Sequence, residues 1–311
     1  MTEIIGHEKQ RRILAKIISS GNIPHAFLFS GPQKIGKRKI ALDFAKNLFC
    51  EEKIQGEACG KCYSCRKVDE LAIPDLSIVE TEPEAKEIKI EQIWNLSEKL
   101  ALKSYGNSYK IGIIDDAHLM NLQAENALLK TLEEPRGKSV IILVSAFPDM
   151  LLPTVKSRME RIKFSLVSKE DIEKHLVSLG ASSAKAKEIA MMSSGQIGKA
   201  IDFFENPEKM KLLDQAIKDI EHLCRSGFGD RFDYAKRLVE GTEDLNEILE
   251  IWERFFRRQI IYREMNESSG AKGYPVKKLI YIIKEIGKIK FLIATTNINK
   301  KMALENFLLN I

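Results

Sequence analysis

The sequence predicts an α/β fold, a parallel sheet covered by helices over residues 1–166, followed by all-α regions at 167–206 and 207–311. Three observations carry that expectation. Short apolar runs alternate with amphipathic helical patterns through the first half, which is the signature of parallel strands joined by crossover helices. A glycine-containing loop lies between the first such run and the helix after it. Beyond "KSRMERIKF" the apolar runs stop, and only helical periodicity remains.

In order along the chain, "EKQRRILAKIISSG" places Ile13, Leu14, Ile17 and Ile18 on one helical face and ends at Gly21. "HAFLFSGP" reads as a buried strand, and Lys37 to Phe49 as a helix with apolar residues at Ile40, Leu42, Phe44, Ala45 and Leu48. "DLSIVETE" follows as another strand, and "IKIEQIWNLSEKLAL" as a helix through Ile90, Ile93, Trp94 and Leu96 or Leu100. "YKIGIIDDAHLM" is a buried strand ending in two acids. "NLQAENALLKTLEEP" is a helix stopped by Pro135, and "SVIILVSAF" a further strand. Ala124, Ala127, Leu128 and Leu132 would pack that helix on the sheet, leaving Glu125, Asn126, Lys130 and Glu133 outward.

Short helical patterns around "EDIEKHLVSLG" and "SAKAKEIAMMSSG" predict a small helical domain. "LNEILEIWERFFRRQIIYREM" and "VKKLIYIIKEIGKIKFLIATTNINKKMALENFLLNI" predict a helical bundle, with a polar loop at Glu267 to Gly273. The run "RFFRRQIIYR" fits an amphipathic helix with a solvated basic face.

Composition excludes more than it assigns. The chain has 311 residues, with 49 basic against 44 acidic and a net charge of +5, so bulk charge does not argue for nucleic-acid binding. No apolar run approaches the roughly 20 residues that cross a bilayer, and "MTEIIGHEKQRR" lacks an apolar leader core, so the expectation is cytoplasmic with no membrane partner.

"GPQKIGK", Gly31 to Lys37, matches the phosphate-binding pattern G-x-x-x-x-G-K-[ST] up to its last position, where Arg38 stands instead of a hydroxyl. Gly31 and Gly36 let backbone N–H groups wrap phosphates, and Lys37 neutralises them. The missing hydroxyl would share a Mg²⁺ with a strand-end acid, here Asp115. Arg38 instead brings a second cation, and two unit charges at roughly 4 Å repel by about 4 kcal/mol at an effective dielectric of 20. Asp116 is one methylene shorter than the glutamate that would orient a water. A nucleotide-type fold is therefore expected, with ATP and Mg²⁺ poorly held.

Cys50, Cys59, Cys62 and Cys65 have the spacing C-x₈-C-x₂-C-x₂-C around the turn-prone "EACGKCYSC". Four thiolates close a tetrahedral structural Zn²⁺ site with no open coordination position. Four unconnected thiols and a redox C-x-x-C pair are the rival readings. Cys224, far away on a helical pattern, reads as an ordinary core or surface thiol.

The combination of "IPHAFLFSGP", the cysteine knuckle after the loop helix, "IIDDAHLMNLQAENALLKTLEEP" and "LLPTVKSRMERIKF" closely resembles the clamp-loader subunits of bacterial DNA polymerase III, in particular the delta prime type. The resemblance is most specific over Ile4 to Phe164 and continues more weakly through "SSGQIGKAI" and "TTNINKKMALENFLL". It implies a RecA-like AAA+ module at 1–166 with its zinc knuckle at 50–65, a helical lid at 167–206 and an oligomerising collar at 207–311. It also implies a heteropentameric ring with gamma/tau-type motor subunits and a delta subunit, which loads a sliding clamp on primed DNA. By that resemblance Arg158, in Ser157-Arg158-Met159, matches an arginine finger supplied in trans to a neighbour's ATP, with Met159 replacing the family's cysteine. Ser145 matches a polar sensor position and Lys199 a lid cation.

The reading with most support is a non-hydrolysing ring subunit. An ATP-hydrolysing motor subunit is the rival, opposed by Lys34 in place of the middle glycine of G-x-x-G-x-G-K-T, by Arg38 and by Asp116. A stand-alone zinc-dependent nucleic-acid binder is the third reading, disfavoured by the modest charge.

Overall fold

The computed structural model describes residues 4–54, 56–83, 85–104, 109–241, 244–265, 274–296 and 298–311. The chain divides into two compact units, Met1–Glu205 and Asn206–Ile311.

The first unit opens with α1 (Glu8–Ser20), β1 (Ala26–Ser30), α2 (Lys37–Phe49), α3 (Tyr63–Asp69) and β2 (Leu76–Val79). It continues through α4 (Ile90–Ala101), β3 (Lys110–Ile114), α5 (Leu122–Glu133), β4 (Ser139–Ser145), α6 (Pro153–Lys156) and β5 (Glu160–Lys163), and closes with α7 (Lys169–Ser178), α8 (Ser183–Ser193) and α9 (Ile197–Glu205). The five strands form one sheet in the order β2-β3-β4-β1-β5, and every pairing is parallel.

Strand periodicity sorts the core into two layers. Phe27 and Phe29 of β1 join Ile111, Ile113, Ile142 and Phe44 on one face, while Ala26 and Leu28 join Ile141, Leu143, Leu96 and Leu128 on the other. The central strands are buried throughout, which explains their unbroken apolar sequence. Burial of each large side chain stabilises the sheet by about 1.5–3 kcal/mol.

Several helix faces differ from the sequence expectation. On α1 only Leu14 is fully buried, and Ile13 is exposed. On α4 the buried row is Ile93, Leu96 and Leu100, and Trp94 points outward. On α5, Asn121 Oδ1 accepts the Ala124 N–H at 2.9 Å and starts the helix. Ala124, Leu128 and Leu132 face the sheet as expected, but Glu125 is buried with them and does not face outward. The segment at "MERIK" supplies a fifth strand on the sheet edge, where only Ile162 is buried.

The second unit comprises α10 (Pro207–Leu223), α11 (Phe228–Glu240), α12 (Leu245–Met265), α13 (Val276–Thr295) and α14 (Lys300–Leu309). The buried Trp252 of α12 donates its indole N–H to Ala216 O of α10 at 3.2 Å and stacks on Phe307 of α14. Arg231 of α11 is buried and donates to Leu223 O and Leu308 O. The last helical pattern is broken in two, because Asn299 Oδ1 accepts the Met302 N–H and begins α14. In "RFFRRQIIYR" Phe256 is buried, while Arg257 and Arg258 are exposed and Arg257 pairs with Glu253 one turn back. The Glu267–Gly273 loop lies outside the described residues.

Candidate functional site

Strand order decides what meets at the Gly31–Lys37 loop. The loop leaves the C-terminal end of β1, which lies between β4 and β5, while α2 carries the chain away to β2 at the far edge. Such a reversal leaves a crevice at the C-terminal strand ends. Ser30, Ser145, Asp115 and Glu80 all stand at those ends, and Asp115 N–H donates to Val79 O at 2.9 Å.

Three left-handed or glycine-specific positions set the backbone of the loop. Gly31 has φ +155°, and a Cβ there would come within 2.4 Å of Phe164 O. Gly36 has φ +96°, and Lys34 adopts φ 55°, so the residue that replaces a glycine still takes glycine's conformation. The loop is fastened from below and from the side. His7 donates from Nε2 to Ile35 O at 2.8 Å, and Gly198 N–H, in the first turn of α9, donates to Lys34 O at 2.8 Å. Gly31→Ala is expected to destabilise the first unit by about 2 kcal/mol or more, because backbone oxygen cannot yield as a side chain does. Chemical denaturation of the variant checks this.

The cations are committed inside the chain. Lys37 Nζ donates to Gly31 O at 2.8 Å and Pro32 O at 2.6 Å, curling into the cradle that its loop forms. Burial pulls its pKa down to about 8, against the opposing pull of Asp116 and Asp115. Arg38 Nη1 bridges Glu80 Oε2 and, at 3.1 Å, Asp115 Oδ2. Burial opposes the guanidinium's charge, but the hydrogen bond to Glu80 and the carboxylate charges outweigh it and raise the pKa. Burial also raises the carboxyls of Asp115 and Asp116. His118, pushed down to about 4 by burial, is neutral, with Nδ1 3.4 Å from Ser145 Oγ. Ser145 is fully buried and accepts the Phe147 N–H at 3.1 Å. Lys199 is buried with its ammonium 5.5 Å from the centre of the Phe203 ring.

Arg158 lies apart from these groups, in the turn between α6 and β5. Nη2 meets Glu133 Oε1 at 2.7 Å, and Nη1 donates to Thr154 O at 2.9 Å. Its side chain remains 37% accessible, so solvent or a partner can reach it. The adjoining Met159 packs against the apolar layer that holds α4 and α5.

The four cysteines come together. Their Sγ atoms all lie within 4.8 Å of one another, with Cys59 and Cys65 at 3.9 Å and Cys50 and Cys62 at 3.9 Å. A tetrahedron of thiolates about 2.3 Å from a metal has edges of about 3.8 Å, close to the two 3.9 Å pairs, so the four sulfurs could hold a metal ion such as Zn²⁺. Backbone N–H groups support the sulfurs: Cys59 N donates to Cys50 Sγ at 3.3 Å, and Cys62 N to Cys59 Sγ at 3.3 Å. The N–H groups of Lys61 and Cys62 pull the Cys59 thiol down to about 7, while burial raises Cys50 and Cys65. The cage is built into α2, whose C-terminal cap is Cys50. The buried Lys46 of α2 pairs with Asp69 of α3 at 2.6 Å, and Asn47 Oδ1 accepts the Ala58 N–H at 2.8 Å. Cys224 stands in the second unit at the end of α10, partly buried.

Sequence reasoning placed Glu133 outward, as it is, but missed its pairing with Arg158, and it missed Glu80 and the inward turn of Glu125. Each sits in a segment whose element was legible, but strand adjacency brings Glu80 to Asp115, and helix docking brings Glu133 to Arg158 and Glu125 to Leu152.

Comparison with known proteins places the chain in a family. A family model described as "DNA polymerase III, delta subunit" matches residues 6–168. The DNA polymerase III subunit delta' of Pseudomonas aeruginosa is 39% identical over 134 residues, covering 43% of this chain and 41% of the relative. The DNA polymerase III subunit tau of Salmonella typhimurium is 29% identical over 254 residues, covering 81% of this chain and 37% of the relative. The chain therefore spans less than half the length of either. A crystal structure of a DNA polymerase III gamma subunit-related protein from Thermotoga maritima shares the fold, with a TM-score of 0.53 and 20% identity over 96% of this chain and 97% of that one.

Proposed function

The chain belongs to the DNA polymerase III delta subunit family, and from that premise we propose that it is a non-hydrolysing, delta prime-type subunit of a bacterial replicative clamp loader. One observation carries the choice within the family: the Arg38 guanidinium sits on Asp115 and Glu80, the carboxylates that would face a metal. An ATPase of this type needs Mg²⁺ between its loop hydroxyl and its strand-end acid. Here an internal cation neutralises that acid, and an incoming metal would meet a fixed guanidinium instead of a free carboxylate.

In this reading residues 1–166 form the AAA+ module, 167–206 the lid and 207–311 the collar that joins gamma/tau-type and delta subunits in a heteropentameric cytoplasmic ring. The ring loads the sliding clamp on primed DNA. Arg158 reaches the ATP of the neighbouring motor subunit, where a planar cation stabilises charge developing on the transferred phosphate. Cys50, Cys59, Cys62 and Cys65 hold a structural Zn²⁺. With four protein ligands the ion has no open position and supplies bracing, not chemistry.

The motor-subunit reading draws support from the tau relative, which aligns with 81% of this chain. Arg38 and Asp116 stand against it; Lys34 does not, because it takes glycine's left-handed conformation at φ 55°. Titrating the purified chain with labelled Mg-ATP separates the two. No saturable Mg-dependent binding and no turnover are expected; tight binding with phosphate release by the isolated chain would overturn the non-hydrolysing reading.

A further inference from the structure

α5 holds the corner that carries Arg158 at both of its own ends. Near its start, the buried Glu125 carboxylate accepts the Leu152 N–H at 2.7 Å and so fixes the entry to α6. At its last residue, Glu133 Oε1 meets Arg158 Nη2 at 2.7 Å, while Thr154 O takes Nη1 at 2.9 Å. Both terminal nitrogens of the guanidinium are thus engaged within the chain, and the Glu133–Arg158 pair carries no net charge.

A finger that stabilises a phosphoryl group must present those terminal nitrogens together with their positive charge. Carboxylate and phosphate oxygens compete for the same edge of the guanidinium fork. Nη2 has two N–H bonds, as the two carboxylates on Arg38 Nη1 illustrate. With Glu133 in place, however, a neighbour's phosphate would meet a neutralised cation beside a carboxylate of like charge, so full engagement requires Glu133 to leave. We propose that Glu133 parks Arg158, acting as a placeholder that the terminal phosphate of ATP on the adjacent subunit displaces before the cation engages. The inference rests on the arginine-finger reading above. It adds that the chain regulates its own finger through a carboxylate at the end of α5.

The geometry sets the strength of the device. Arg158 and Glu133 are 37% and 49% accessible, so solvent weakens the pair and the exchange stays easy. A phosphate bearing more charge, in a drier site, competes successfully. Glu125 fixes the backbone of the corner while Glu133 restrains only the side chain, so the finger can swing without unfolding its support.

The test is hydrolysis by the reconstituted ring, reading the component of phosphate release that Arg158→Ala removes. Glu133→Gln is expected to raise that component about two- to fivefold, by freeing a weakly held guanidinium. Glu133→Asp, which keeps the carboxylate but draws it back by one methylene from the 2.7 Å contact, should fall between wild type and Glu133→Gln, and Glu133→Gln should have no effect in an Arg158→Ala background. If Arg158→Ala leaves the rate undiminished, the finger reading falls and this inference with it. If Arg158→Ala lowers the rate but Glu133→Gln leaves it unchanged or lowers it, the finger stands and the parking role is overturned. Glu133→Ala repeats the comparison should the glutamine variant assemble poorly.

Discussion

Arg158→Ala is expected to slow hydrolysis at the adjacent subunit's ATP by about a thousandfold, the lower end of what arginine fingers contribute to phosphoryl transfer. The isolated chain should be untouched. Arg158 is exposed, and its carboxylate partner Glu133 contributes roughly 1 kcal/mol or less to folding, so the melting temperature should move by no more than a few degrees. In a ring with three ATP-bearing subunits, silencing one interface removes about a third of total turnover if the sites fire independently. It removes nearly all turnover if they fire in sequence. Arg158→Lys should recover only part of the loss, because an ammonium carries the charge without the planar fork. A steady-state ATPase assay of the assembled ring, with nucleotide binding measured alongside, checks the result. An undiminished rate would show that the chain does not complete its neighbour's site.

The second large effect concerns the cysteine cage. Freshly purified protein is expected to contain close to one Zn²⁺ per chain, and Cys62→Ser to lose it. A site that keeps its metal through purification stands at roughly a thousand times its dissociation constant or more, which corresponds to about 4 kcal/mol of folding free energy. For a unit of this size that is a fall in melting temperature of about 10 °C. The loss should travel beyond the knuckle, because Cys50 caps α2, and Lys46 and Asn47 of the same helix are fastened to Asp69 and Ala58. Protease cleavage within residues 50–69 should accelerate in the variant, and Cys224→Ser, outside the cage, should change neither metal content nor melting. Metal-free wild type, or an unaltered melting curve for Cys62→Ser, would remove the structural-zinc reading.

Particular residues show how far the sequence could be read. The strands at Ala26–Ser30, Lys110–Ile114 and Ser139–Ser145 were legible because buried parallel strands have no solvent face to break their apolar run. The edge strand Glu160–Lys163 was not, since charged residues on an exposed edge erase that signal. Periodicity located α4 and α5 but misjudged Trp94 and Glu125. A helical wheel fixes angles about the axis; it does not say how wide a stripe the neighbouring layer covers, nor which backbone N–H a buried carboxylate will find.

The sequence by itself determined the chemistry available: a glycine loop with a lysine, an arginine where a hydroxyl would serve a metal, paired strand-end acids, and four cysteines at metal-binding spacing. It also determined the alternation of strands and helices, since that depends on local burial patterns. Only the tertiary structure decided which carboxylates those cations meet. Glu80 reaches Arg38 because β2 pairs beside β3, and Glu133 reaches Arg158 because α5 docks beside the α6–β5 turn. Such meetings join residues that are distant in sequence, and their energies arise from strand order and packing. Neither leaves a trace in the spacing of residues along the chain.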